Sequence, residues 1–371
     1  MKVALVHDQL QEFGGAERVL IALKQIFPKA KVFTAFTNQK SLKRNVPDYK
    51  TWKIKTSWAA HIPFFGKLYS PLRFLAPKIW ESFDFTGYDL VVSSSGWYMS
   101  KGIITHPPTI HVSYLHHPPR YLYGYETAVE WQRYRIVKIY ASIVNHYLRI
   151  WDFESSQRPD YIIANSKETQ KRVTKFYRRD ATVIYPPVGI PKNIESYNLP
   201  KKPYYITVSR LSHAKHIEIL IEAANKSSFT LKIIGSGKDD EKLKTMAGPT
   251  VEFLGNIPDD QMKKIFKHAK AFLFASVDEE FGIAPIEAMG FGIPVIAYRS
   301  GGLTETVING KNGFLYDELT VDSLLEAMTK LVSGSWKDYL KIRKAAYASA
   351  EKYSFDNFKK NILAFLEKVT K

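Results

Sequence analysis

The sequence predicts an α/β protein of two consecutive doubly wound units, and three observations carry that prediction. Short β-branched and apolar runs alternate with helix-period segments, the pattern of mainly parallel sheets covered on both faces. The alternation pauses at a proline-rich stretch holding Pro186, Pro187, Pro191, Pro200 and Pro203, and then restarts. The length of 371 residues suits two domains, each of roughly 180 residues.

In the first unit, residues 2–7 read as a buried strand. Gly14-Gly15 precede 16–27, where Val19, Leu20, Ile21, Leu23 and Ile26 form a helical face. Segments 31–36, 90–93, 109–114 and 161–164 supply further strands. After the prolines, 204–208, 230–234, 251–254, 271–274 and 294–297 read as strands. Segments 218–224, 259–268, 285–289, 321–331 and 339–352 read as helices, and 355–371 as an amphipathic tail helix. The first domain is therefore set at 1–185, the linker at 186–203 and the second domain at 204–354, with 355–371 expected to pack back on the first. Such sheets bind ligands at the carboxyl ends of their strands, so a ligand is expected in the cleft between the domains.

Composition narrows the chemistry. The chain is 45% hydrophobic and 24% charged, which is globular rather than disordered. It has no cysteine, which excludes disulfides, thiolate nucleophiles, zinc ribbons and iron–sulfur clusters. No apolar run approaches the ~18–20 residues of a spanning helix, and the apolar start at 3–6 is too short for a signal-peptide core. A soluble or peripheral, cytoplasmic protein is expected.

The net charge of +17 is uneven, with 28 basic against 15 acidic residues through Pro200. The densest stretch, 41–80, holds Lys43, Arg44, Lys50, Lys53, Lys55, Lys67, Arg73 and Lys78 against Asp48 alone. Tyr49, Trp52, Trp58, Phe64, Phe65, Tyr69, Phe74 and Trp80 are interleaved with them. This composition suits an anionic membrane surface, then a solvated basic face over core aromatics, and last a nucleic acid.

Several short patterns carry chemistry. Gly14-Gly15-Ala16-Glu17 stands where the first strand's loop meets a helix, placing backbone N–H groups for a phosphate or making a tight turn that needs a positive φ. The G-x-G-x-x-G spacing of a dinucleotide site is absent here and also at Gly235-Ser236-Gly237. Arg210 and Lys215 flank a loop after a strand, an arrangement that suits a diphosphate or is simply surface charge. Glu279 and Glu287 bracket Phe281-Gly282-Ile283. Carboxylates and free N–H groups so placed suit sugar hydroxyls and phosphate oxygens, although paired acids also serve metals and hydrolases, and an ordinary acidic helix start has the same composition. His111, His116 and His117 follow a strand without H-E-x-x-H spacing, so zinc is not expected; a histidine at that place can donate a hydrogen bond or move a proton.

Together these stretches resemble the retaining glycosyltransferases of family 4, over nearly the whole chain. The resemblance implies the GT-B fold, two Rossmann-like doubly wound domains facing each other across a cleft. His7-Asp8, Gly14-Gly15-Ala16-Glu17, His116-His117-Pro118-Pro119-Arg120-Tyr121 and Glu280-Phe281-Gly282-Ile283 are most similar to mannosyltransferases that use GDP-mannose on polyprenyl-diphosphate-linked glycans.

The resemblance implies that Arg210 and Lys215 neutralise the leaving diphosphate and that Glu287 accepts from the ribose. It implies that Glu279, with the backbone of Phe281, Gly282 and Ile283, holds the transferred sugar. His116 would contact that sugar, Gly14 and Gly15 would approach phosphate, and residues 251–255, Gly255 among them, would line the base pocket. Two positions depart from the family's pattern: His216 stands where a glycine usually follows the lysine, and Glu280 where a small residue is usual.

The implied chemistry is transfer by same-face attack, with the departing phosphate helping to deprotonate the acceptor, and without metal or other cofactor. The expected partners are a nucleotide sugar, a lipid-linked glycan acceptor and an anionic membrane surface met through 41–80, on the cytoplasmic side. Nucleic acid is not expected. A phosphorylase or epimerase of the same fold, another sugar nucleotide such as a UDP-sugar, and a basic nucleic-acid-binding protein are the competing readings.

Overall fold

The computed structural model describes residues 1–127, 134–191 and 203–370. These divide into two compact units, one drawn from 1–125, 134–187 and 355–370, the other from 126–127, 188–191 and 203–354. Most of the proline-rich segment, 192–202, lies outside the described residues.

Among the described residues the first unit holds seven strands: β1 (Val3–His7), β2 (Lys31–Thr34), β3 (Ile54–Thr56), β4 (Leu90–Ser95), β5 (Ile110–Leu115), β6 (Tyr161–Ala164) and β7 (Thr182–Val183). They form one sheet in the order β3-β2-β1-β4-β5-β6-β7, every pairing parallel. The second unit holds β8 (Tyr204–Val208), β9 (Leu231–Ile234), β10 (Val251–Gly255), β11 (Ala269–Phe274), β12 (Val295–Tyr298) and β13 (Gly313–Tyr316). Their order is β10-β9-β8-β11-β12-β13, again all parallel. In both sheets the winding reverses beside the first strand, between β1 and β4 and between β8 and β11. Loops leaving adjacent strands at such a point diverge to opposite faces and open a crevice at the carboxyl ends.

Parallel strands are covered on both faces, which is why the runs Ala4–Val6 and 90–92 are apolar without alternation. One face of the first sheet packs Val19, Leu20 and Leu23 of the helix Gly15–Ile26 together with Phe358, Ile362 and Leu366 of the C-terminal helix Phe355–Val369. The four-residue spacing of those last three sets them on one side of their helix. The other face packs Phe33, Phe36, Phe65, Trp80 and Tyr98 with Leu148 and Trp151. In the second unit, Leu220, Ile221 and Ala224 of the helix Ile217–Ser227 pack on β8, β9 and β11.

The stretch 41–80 divides its aromatic residues between two roles. Trp52, Phe65 and Trp80 are buried, and Trp80 Nε1 donates to the Tyr98 carbonyl at 2.6 Å; Trp58, Phe64 and Phe74 are exposed. Part of the basic, aromatic run is therefore ordinary core. The structure also adds elements that the sequence pattern does not announce, among them β3, β7, β13 and the helices Arg135–Ser155 and Lys167–Tyr177.

Candidate functional site

In the first unit, the site residues gather where β1, β4 and β5 end. Asp8 follows β1 and is buried. Its carboxylate accepts from the N–H groups of Gly96, Tyr98 and Ser100, each at 2.9 Å, and so holds the loop after β4, including Met99 at φ +63°. Gly14 is the N-cap of the helix Gly15–Ile26, with extended φ −144°, and its N–H donates to Glu17 Oε2 at 2.8 Å. A side chain at Gly14 would meet only Glu17, at an ordinary contact of 3.6 Å. The tight-turn reading of Gly14 therefore fails, because neither its backbone nor the surrounding protein demands a glycine.

Glu17 begins a buried chain of polar contacts. Its Oε1 lies 3.4 Å from His7 Nε2, His7 Nδ1 lies 3.1 Å from Ser94 Oγ, and Ser94 Oγ lies 2.8 Å from His116 Nε2. A carboxylate only accepts, so His7 donates from Nε2. In the neutral ring Nδ1 then accepts from the Ser94 hydroxyl, and that oxygen accepts from His116 Nε2–H. With His7 neutral, the chain thus selects the Nε2-protonated form of His116. It links Gly14 to His116 through three side chains.

The three histidines do different things. His111 is fully buried, with Nε2 at 2.8 Å from Ser93 Oγ, and burial pushes its pKa down to about 3, which keeps it neutral. His117 donates from Nδ1 to the Pro118 carbonyl at 2.9 Å. His116, whose carbonyl accepts from Thr169 Oγ1 at 3.0 Å, is the one joined to the loop of Gly14.

In the second unit, Arg210 is exposed just after β8, and Lys215 closes a short turn, His213–Lys215. Lys215 Nζ donates to Glu279 Oε2 at 2.5 Å and to Ser276 Oγ at 3.2 Å, and the Ser276 hydroxyl donates to the same Glu279 oxygen at 2.8 Å. Ser276 and Glu279 belong to the loop after β11, so this contact spans the switch point of the second sheet. An ammonium has three donors, and two are held here.

His216 follows in left-handed conformation at φ +46°, with Nδ1 at 3.1 Å from Glu218 and Nε2 at 2.9 Å from Glu126. Its pKa is raised, first by the bond to Glu218 and against the effect of burial, with Glu126 adding to the rise. Burial works to raise the Glu218 carboxyl, but the bond from His216, a bond from its own backbone N–H and the charges of His216 and Lys242 together hold it low.

Glycines set the loop shapes. Gly282 caps the helix Ile283–Gly290 at φ +85°, and a side chain there would stand 2.8 Å from Leu303. The helix therefore starts two residues before Pro285, earlier than the proline alone suggests, and Glu287 lies in its second turn, nearly buried. Phe281 sends its ring into the core against Tyr353, 5.3 Å away, so any ligand role falls to its backbone. Gly255 ends β10 at φ +63° and its carbonyl accepts from Gly235 N–H at 2.9 Å.

Sequence reasoning passed over Ser276, Gly301 and Gly302, and dismissed Gly235 and Gly237. A side chain on Gly301 would lie 2.0 Å from the Glu279 carbonyl, and on Gly237 2.0 Å from that of Leu211, beside Arg210. These glycines let neighbouring backbone approach the two loops that carry Arg210 and Glu279. The signal was present in Gly301-Gly302, but nothing in the sequence shows which loop they abut. Gly14, Gly15 and His116 belong to the first unit, and the remaining site residues to the second.

The comparisons agree with this architecture. Residues 13–190 match the family described as Glycosyltransferase Family 4, and residues 189–349 match Glycosyl transferases group 1. An uncharacterized glycosyltransferase, MJ1178, of Methanocaldococcus jannaschii is 31% identical over 47% of this chain and 50% of its own. The GDP-Man:Man(3)GlcNAc(2)-PP-Dol alpha-1,2-mannosyltransferase of Xenopus laevis is 27% identical over 57% of this chain and 49% of its own. The chain thus spans about half the length of these curated relatives. In fold it is similar to Anabaena Alr3699/HepE, solved in complex with UDP and glucose, with TM-score 0.71, 21% identity and 99% of each chain covered. With two adjoining glycosyltransferase matches running from residue 13 to 349 and both sheets wound in the same order, the chain belongs to the GT-B glycosyltransferases of the family 4 and group 1 type.

Proposed function

We propose that the protein transfers a sugar, with retention and without a metal, from GDP-mannose to a hydroxyl of a polyprenyl-(di)phosphate-linked glycan. The observation that carries this reading is the contact of Lys215, Ser276 and Glu279 across the β8/β11 switch point. It sets a fixed cation beside a hydroxyl-accepting carboxylate, as a sugar attached to a diphosphate requires. Lys215 and Arg210 take the leaving diphosphate, while Glu279 and the N–H groups at Gly282 and Ile283 take sugar oxygens. Glu287 takes the ribose and 251–255 the base. Gly14 and Gly15 approach phosphate, and His116 meets the sugar.

In the reaction, the bond from the anomeric carbon to the diphosphate oxygen breaks. The acceptor oxygen bonds to that carbon from the same face, and its proton passes to the departing phosphate. Fixed positive groups lower the barrier because they need no reorganisation as charge develops. The Xenopus relative supports mannose and a lipid-linked acceptor. On this reading the enzyme works at the anionic, cytoplasmic surface of a membrane.

A second reading, a UDP-sugar donor, is favoured by the Anabaena structure with UDP and glucose. A ligand that binds the folded state raises the melting midpoint, so thermal shifts with GDP-mannose and UDP-glucose at equal concentration separate the two. A larger rise with GDP-mannose is expected; the reverse order moves the reading to UDP-sugars. Lys215→Ala and Glu279→Ala are each expected to cut transfer about 100- to 1,000-fold while leaving the fold intact. Full turnover by either variant would reject the site.

A further inference from the structure

The helix Arg135–Ser155 has two apolar faces where an ordinary surface helix has one. Ala141, Leu148 and Trp151 point into the first unit. On another side, Ile136, Ile139, Ile143, Tyr147 and Ile150 recur every three or four residues and stay 84%, 65%, 69%, 57% and 51% exposed. That stripe runs about 21 Å along the helix. Arg135, Lys138, His146 and Arg149 line its edge, all exposed, whereas the exposed acid on this helix is Glu154, near its end.

The segment before Trp80 lies alongside. The Tyr140 hydroxyl donates to the Pro71 carbonyl, and the Arg73 guanidinium lies 5.2 Å from the Tyr140 ring and 2.9 Å from Asn145 Oδ1. This segment adds exposed Phe64, Leu68 and Phe74. Phe64 is held outward at 74% exposure and at φ +60°, a conformation that a large side chain rarely adopts.

We infer that this helix is the principal membrane seat of the protein. Its isoleucine stripe sits at the acyl boundary of an anionic bilayer, and its basic edge sits among the lipid phosphates. The inference sharpens the membrane part of the proposed function, moving the anchor from 41–80 to a helix with its own buried attachment. Charge selects the occupant. Two copies meeting through this stripe would set Arg135, Lys138 and Arg149 near their own counterparts, and an apolar partner would leave the basic edge unmatched.

The test uses the full chain and flotation with vesicles of phosphatidylcholine alone or mixed equally with phosphatidylglycerol. The wild type is expected to float with the anionic vesicles and to be released by salt. Replacing Ile136, Ile143 and Ile150 together by serine is expected to weaken binding about tenfold or more, since each apolar side chain contributes separately. Its melting midpoint is expected to stay unchanged. Reversing Arg135, Lys138 and Arg149 to glutamate is expected to remove the preference for anionic lipid.

Equal flotation of the serine variant overturns the inference, as does wild-type indifference to lipid charge. A wild-type dimer that the serine variant turns into a monomer, by light scattering, assigns the face to a second copy and overturns it too. Transfer to a water-soluble acceptor is expected to be unaffected in the serine variant. Loss of donor binding in the Lys215→Ala variant alone bears on the catalytic reading and not on this one.

Discussion

At the scale of single residues, two polar assemblies stand out. Ser94 is a positioning residue for His116: remove its hydroxyl and the chain from Glu17 no longer dictates which imidazole nitrogen carries the proton. Ser94→Ala is expected to mix the His116 tautomers, read by ¹⁵N NMR of histidine-labelled protein, and to lower kcat about tenfold with donor KM unchanged. Ser94→Thr is expected to restore both. An unchanged tautomer ratio in the alanine variant would break the proposed chain. The second assembly is His216 between Glu218 and Glu126. Its pKa in the folded protein is raised, so its contribution to stability is full below its ordinary value and is lost as pH rises through the folded value. Glu218, held low, contributes above its ordinary value and loses that contribution at lower pH. The His216→Asn variant tolerates the left-handed backbone but cannot ionise. The gap in Tm between wild type and this variant is expected to be wider near about pH 5.5 than near about pH 8.5. Equal gaps would mean that the pair is not ionic.

At the scale of elements, Gly282 decides where the helix Ile283–Gly290 begins. Gly282→Ala combines a left-handed backbone with a 2.8 Å approach to Leu303. It is expected to cost roughly 1–3 kcal/mol, measured by urea denaturation, and to reduce donor affinity by moving the Ile283 N–H. Much of the element level was legible. The strand Tyr161–Ala164 has the bounds that its apolar run indicates, and Tyr204–Val208 likewise. Buried parallel strands write themselves as uninterrupted apolar runs, which is why. The helix Arg135–Ser155 was not legible, because apolar residues on two faces erase the single 3.6-residue period that pattern reading relies on. β13 opens on Gly313, whose missing side chain admits the Val295 carbonyl, and a glycine in a strand reads as a turn. In the candidate site, the charged residues were visible by type and spacing. The pairing of Lys215 with Glu279 was not, since residues so far apart in sequence meet only through the pairing of β8 with β11.

At the scale of the whole molecule, two sheets of the same winding each concentrate their polar residues at the reversal beside the first strand. The fold therefore explains why the candidate site residues collect after β1, β4 and β5 in one unit and after β8 and β11 in the other. The C-terminal helix completes the first unit's core rather than the second's. Phe358→Ala is expected to lower stability by about 3–5 kcal/mol, because it empties a buried position against Tyr114. The loss is expected in calorimetry as a lower midpoint for the first unit's transition. A change confined to the second unit's transition would contradict the packing.

That helix also imposes an order on biosynthesis. Phe358, Ile362 and Leu366 leave the ribosome after everything from Val188 to Ser354. At roughly 5–20 residues per second, the nascent first unit waits on the order of ten seconds with that side of its sheet uncovered. Its apolar flank is then the surface that chaperones meet, and emergence of the helix Phe355–Val369, rather than of the first domain's own strands, is the event that seals it.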